Sequence, residues 1–137
     1  MSQTDPTELL AAVQAFLRQQ VLPQLQGFDA YTTRVAANSL SIVSRELRGR
    51  DAITALDAAA GARWLGGDSS DNPARDISLA LRARSLAPDA DLQAYLRTRT
   101  LRQMAIDNPR YSGFRLGCER WPALAAAAGI AGQEPHQ

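Results

Sequence analysis

The amino-acid sequence predicts an all-α protein, a single-domain bundle of five to six helices. Two observations carry this. Glycine and proline divide the chain into helix-length segments in which apolar residues recur every three or four positions, and no stretch shows the valine- and isoleucine-rich alternation of a strand. At 137 residues with 45% apolar content, the chain is also long enough to form one core, burying roughly 68% of its unfolded surface.

The first helix opens at "DPTE". Asp5 is its N-cap, Pro6 takes the first helical position and Glu8 completes a capping box. Leu9, Leu10, Val13, Phe16, Leu17 and Val21 make its apolar stripe, and Pro23 ends or kinks it near Leu22. A second helix, capped by Asp29, runs to about Arg48 and stops at Gly49. Tyr31, Val35 and Ile42 cluster on it, and Ala36, Leu40, Val43 and Leu47 widen the face, which marks it as a central and mostly buried helix. Along one edge Arg34, Asn38, Ser41 and Arg45 form a row.

A third helix, from Asp51 to about Leu65, carries Ile53, Leu56, Ala60 and Trp64 and ends at Gly66-Gly67. "GGDSSDNPA" is a connector, after which Asn72 and Pro73 open a fourth helix reaching about Leu86. A fifth helix spans about Asp91 to Asp107 and has two apolar faces, hence two neighbours: Leu92, Tyr95, Leu96 and Ile106 on one, Leu101 and Met104 on the other. Arg99 falls in the middle of the first face, where a charge needs a partner. A short sixth helix from Pro122 to Ala128 stops at Gly129, and residues 131–137 read as a disordered tail.

Composition removes several kinds of chemistry. All fifteen basic residues are arginine, which rules out a Schiff-base or P-loop lysine. One cysteine and one histidine exclude a Cys/His zinc site, and His136, in a polar tail, has little around it to hold an imidazole against a nucleophile. Cys118 reads as a small apolar filler. Net charge is +1 with both signs interspersed, so nucleic acid is not an expected partner. No apolar run is long enough for a membrane span, and the N-terminus has no basic-then-apolar signal, so the expected location is cytoplasmic. No metal and no cofactor is expected.

The densest polar motif is "IDNPRYSGF", Ile106 to Phe114. Asn108 before Pro109 is pushed out of the helical region and ends the fifth helix, while Asp107 and Asn108 can bond turn amides. Arg110 and Tyr111 then either complete the helix end or point a guanidinium and a phenol at an anionic group. If the fifth helix ends beside the second, Arg34 and Asn38 face them. Asp68, Asp71 and Asp76 do not match a calcium-loop spacing.

Three stretches, "ELLAAVQAFLRQQVLPQL", "RVAANSLSIVSREL" and "LRQMAIDNPRYS", together resemble a family of small bacterial helical proteins of unknown function. Its members are commonly encoded beside, or fused to, phosphotransferases of the aminoglycoside- and choline-kinase type, often near acyl-CoA dehydrogenases. The resemblance covers about residues 8–112, and Arg34, Asn38, Asp107, Asn108, Pro109, Arg110 and Tyr111 match its motifs. It implies an accessory domain and supplies no catalytic residue. The leading expectation is therefore a non-catalytic helical domain that binds a phosphotransferase-like enzyme or a second copy of itself. The alternative is a module in which Arg34, Asn38, Arg110 and Tyr111 receive the phosphate or carboxylate of an acyl-CoA, nucleotide or similar anion.

Overall fold

Six α-helices and no strand make up residues 4–130, the part of the chain that the computed structural model describes: α1 Pro6–Phe16, α2 Gly27–Trp64, α3 Pro73–Arg82, α4 Ala90–Asp107, α5 Ser112–Arg120 and α6 Pro122–Ala127. The protein is all-α. The expected tail at 131–137 lies outside the described residues. The chain divides into two compact units, Met1–Gly49 and Arg50–Gln137, and the 38-residue α2 contributes to both.

In the first unit, Asp5 caps α1 by accepting the Thr7 N–H at 3.0 Å, and its bonds with Thr7 hold its carboxyl below the usual carboxylate range. Beyond Phe16 the helix widens to a π-turn over Leu17–Val21 and tightens into one 3-10 turn over Leu22–Gln24. Pro23 sits in the first positions of that turn, where its missing N–H costs nothing. Gly27, at φ 59°, turns the chain into α2. The two helices then run antiparallel. Arg48 lies near Asp5, the Gln14 amide donates to the Ala37 carbonyl at 3.0 Å and to the Ser41 hydroxyl, and Arg18 donates to Asn38 Oδ1 at 2.9 Å. Small side chains bring them together: Ala37 and Ser44 are the buried pair among the described residues of this unit.

Two expectations about α2 fail. Gly49 does not stop it, so the expected second and third helices are one. A glycine ends a helix by taking a left-handed conformation. Gly49 keeps an ordinary negative φ, because "DAITALDAAA" after it is rich in strong helix formers that outweigh the roughly 1 kcal/mol cost of one internal glycine. Nor is the first part of α2 mostly buried: Tyr31, Val35, Ile42, Val43 and Leu47 are 40–60% exposed. Periodicity fixes which side chains share a face, whereas burial needs a neighbour, and α1 covers only the Ala37–Ser44 side.

In the second unit, the Asn72 side chain accepts the Arg75 N–H at 3.2 Å and Pro73 starts α3. The helix stops at Arg82, short of the expected Leu86. Its end is a Schellman closure, with Ser85 N–H to the Ala80 carbonyl at 3.0 Å and Arg84 N–H to Leu81 at 3.1 Å. Arg84 holds the left-handed position at φ 58°, where glycine is usual; α6 ends by the same closure with Gly129 at φ 69°. Arg84→Gly should therefore raise the unfolding free energy by roughly 0.5–1 kcal/mol in urea titrations. A drop would show that the arginine side chain outweighs the backbone strain.

Helix α5 was not anticipated, since "SGFRLGCER" carries two glycines that lower its propensity. Gly117 serves packing: a Cβ there would lie 3.0 Å from Leu101 Cδ2. Gly61, inside α2, is held to the same requirement by Pro73, whose Cβ would meet an added Cβ at 2.9 Å. The core of this unit forms two clusters. Ala60, Ile77, Leu92 and Tyr95 centre one, with Leu56, Trp64 and Leu81 around them; Leu101, Phe114, Ala125 and Ile130 centre the other, with Met104 and Trp121. The two apolar faces of α4 thus serve two neighbours, Leu92 and Tyr95 in one cluster and Leu101 and Met104 in the other.

Candidate functional site

Arg99, one turn beyond Tyr95 on α4, finds its partner on α2. Its Nε donates to Asp57 Oδ1 at 2.8 Å and its terminal nitrogen to Oδ2 at 3.1 Å, a two-pronged fork. The Tyr95 hydroxyl donates to the same Oδ1 at 2.8 Å. The side chains of Asp57 and Arg99 are 13% and 32% exposed, so the pair is largely withdrawn from water and hydrogen-bonded, as a buried charge requires.

Burial, reinforced by the hydrogen bond and charge of Asp57, pushes the Tyr95 hydroxyl well above the ordinary phenol range. The hydrogen bond to Asp57 outweighs desolvation and raises Arg99. Tyr95 is thus neutral and Arg99 charged, while the Asp57 oxygens already accept three bonds. This is a clamp between α2 and α4 rather than acid–base machinery.

Because the folded-state phenol is raised, its contribution is fully present below the unfolded value of about 10 and is lost as pH rises beyond it. Stability measured by urea unfolding should fall above about pH 10, and Tyr95→Phe should flatten that fall while costing about 1 kcal/mol at pH 7 through the lost bond. An unchanged slope in the variant would remove Tyr95 as its source.

Two clefts flank the clamp. One, of about 220 Å³, is lined by Thr54, Asp57, Ala58, Ser70, Asp71, Asn72 and Pro73. The other, of about 270 Å³, is lined by Leu56, Ala59, Ala60, Arg63, Trp64, Asp91 and Tyr95. In the second, the Trp64 and Tyr95 rings lie 5.8 Å apart, and Arg63 covers Trp64 at 4.9 Å while pairing with Asp91. Arg97 covers Trp121 in the same manner at 5.1 Å. Both clefts are smaller than the roughly 300–1,000 Å³ of ordinary small-molecule pockets.

The residues singled out by sequence are distributed over both units. Arg34 and Asn38 belong to the first. Asn38 accepts the Arg18 guanidinium, and among the described residues no hydrogen bond or ion pair holds Arg34. Arg110 and Tyr111 belong to the second, on the turn after α4. There Asn108 N–H donates to the Met104 carbonyl at 2.9 Å and Tyr111 N–H to the Asn108 carbonyl at 3.0 Å.

Asp107 accepts the Gln103 amide at 3.1 Å and makes no bond to Arg110, which is exposed and unbonded among the described residues. Pro109 lies within the turn. The Tyr111 ring, 53% exposed, lies across Gly113, where an added Cβ would come within 2.5 Å of it. Neither Arg110 nor Tyr111 lines either cleft. Cys118 packs against the second cluster, and burial raises its thiol above the usual range, away from thiolate reactivity.

Asp57 was missed by sequence reasoning. Its signal was present: it lies within the stripe Ile53, Leu56, Ala60, Trp64, so an apolar face of α2 carries one carboxylate just as an apolar face of α4 carries one guanidinium.

The first unit has a different property. Leu9, Val13 and Phe16 on α1 are 48–57% exposed, as are, at 40–77%, Phe28, Tyr31, Val35, Ile42, Val43 and Leu47 on α2. Ala37 is the one buried apolar residue described there.

No curated protein and no solved structure matches the chain. Residues 23–111, more than half of it, match the family model "Domain of unknown function (DUF6285)". The matched span runs from Pro23 through the clamp to the Tyr111 turn, and the chain belongs to the DUF6285 family.

Proposed function

We propose that this chain is a non-catalytic accessory domain of the bacterial cytoplasm that works by binding protein through its first unit. The observation behind this reading is the imbalance in that unit: nine large apolar side chains at least 40% exposed against one buried alanine. Ordering a residue costs roughly 1–2 kcal/mol of backbone entropy, and the half-buried Leu10, Leu17, Val21 and Leu40 with the buried Ala37 offset only part of it in an isolated hairpin. Soluble monomers seldom expose contiguous apolar patches beyond a few hundred Å². The two clefts beside the clamp are small and one is lined by the Arg63–Asp91 ion pair, which weighs against a small-molecule role.

The resemblance to proteins encoded beside aminoglycoside- and choline-kinase-like phosphotransferases supplies one partner, and a second copy of the chain supplies another. Light scattering on the eluting peak, for the full chain alone and mixed with the phosphotransferase encoded beside it, should give a mass above the 14.8 kDa monomer in at least one case. A monomer in both, at the highest soluble concentration, would end the proposal.

A further inference from the structure

The geometry points to a second copy of this chain as the occupant of one side of the α1–α2 hairpin, the side formed by Leu9, Val13, Phe16, Val43 and Leu47, so that two hairpins close into a four-helix bundle. This rests on the reading of the first unit as an interaction module and names its partner.

The side follows from helix geometry. Residues advance about 100° each. Gln14 marks the direction in which α1 faces α2, and Ala37 and Ser44 mark the reverse direction. On α1, Val13 and Leu9 lie roughly 100° and 140° away from that direction, and Phe16, at roughly 160°, ends the ridge near the outer face; on α2, Val43 and Leu47 lie roughly a quarter turn away, in the same rotational sense. In an antiparallel pair, equal senses lead to the same side. Arg18 and Asn38 lie in the opposite sense on their helices and meet each other at 2.9 Å, which confirms the assignment. One side of the hairpin is therefore closed by a polar bond, and the other is an open pair of apolar ridges.

Area and charge select the occupant. The 11 residues of α1 and the five of the π-turn run roughly 24 Å at 1.5 Å per residue, and two adjacent helices are about 20 Å wide. That is on the order of 500 Å² in projection, comparable to the roughly 800 Å² of accessible surface each partner gives to a standard interface. Across the described residues of the unit, Asp5, Glu8, Asp29 and Glu46 balance Arg18, Arg34, Arg45 and Arg48, and no charged residue falls between Leu9 and Leu17. Nothing on the ridge repels an identical ridge, and nothing selects a partner of opposite charge. A two-fold pairing of hairpins then buries the same five side chains on both copies, as up-and-down bundles do.

The test uses the full chain. Light scattering should give a dimer for the natural sequence and a monomer for Val13→Glu and for Val43→Glu, with helical circular dichroism unchanged because both side chains are already half exposed. Val35→Glu, on the outer face of α2 and turned in the rotational sense of Asn38, away from the ridge, should leave the dimer intact. As a check independent of folding, in a Cys118→Ser background a thiol at Val13, midway along the ridge, should be joined to its counterpart by a short bis-maleimide, and one at Val35 should not.

A dimer broken by Val35→Glu but not by Val13→Glu overturns this face and keeps the interaction module. A monomer that binds the phosphotransferase through Val13 overturns the second copy alone. A monomer that binds neither overturns both.

Discussion

Asp57→Ala should lower the unfolding free energy by about 3 kcal/mol, more than any other single charge removal in the second unit. Deleting one partner of a fully buried ion pair costs about 3–5 kcal/mol, because the survivor is left charged and unpaired. Arg99 is 32% exposed, so water recovers part of its hydration and the value falls to about 2–3 kcal/mol. The same substitution strips the Tyr95 hydroxyl, on a residue only 6% exposed, of its acceptor and adds of order 1 kcal/mol.

The double variant Asp57→Ala, Arg99→Met should be more stable than the single one, since the unpaired guanidinium is gone. Urea midpoints measured at pH 7 provide the comparison. An Asp57→Ala midpoint equal to that of the natural chain would show that the clamp contributes nothing.

Ile77→Ala should cost a similar amount, about 3 kcal/mol, through packing alone. Ile77 is fully buried and is the one buried side chain of the 10-residue α3, so its truncation leaves a cavity in the Leu92–Tyr95 cluster. A helix this short has little stability of its own and is held by that contact. Hydrogen exchange across α3 should therefore accelerate more than across α4, whose Leu92, Tyr95, Leu101 and Ile106 are all buried. Leu79→Ala, on the 49%-exposed side of α3, serves as the control and should change stability by less than about 0.5 kcal/mol. Equal losses from the two substitutions would show that α3 is not anchored through Ile77.

How far the sequence discloses these features depends on the kind of information each needs. Arg99 is legible because a charge on an apolar face demands a counter-charge. Asp57 obeys the same logic, but the alanines around it, Ala55, Ala58 and Ala59, blur the edge of the stripe Ile53, Leu56, Ala60 and Trp64, so the carboxylate reads as lying beside the apolar face and not within it.

The union of the expected second and third helices was obscured by Gly49, since a glycine is a stop signal only in company with a sequence that does not resume a helix. Arg84 shows the converse: a left-handed closure on a non-glycine residue, which no propensity scale announces. The open surface of α2 was read as core for a simpler reason. Tyr31, Val35 and Ile42 have the spacing of a buried face, and spacing carries no record of whether anything stands opposite. Arg110 and Tyr111 were correctly placed beyond a helix end by the Asn-Pro step, but their neighbours in sequence do not include a pocket.

The guanidinium-covered indoles give the molecule a built-in spectroscopic division. The sequence contains two tryptophans, Trp64 and Trp121, one packed against each core cluster of the second unit and each stacked under an arginine. The first unit contains none. Intrinsic tryptophan emission is thus blind to the hairpin and resolves the rest into two local signals that Trp64→Phe and Trp121→Phe separate, whereas far-ultraviolet circular dichroism sums over every helix. Melting curves recorded both ways superimpose only if hairpin and clusters lose structure together, and any gap between them measures the hairpin's independence.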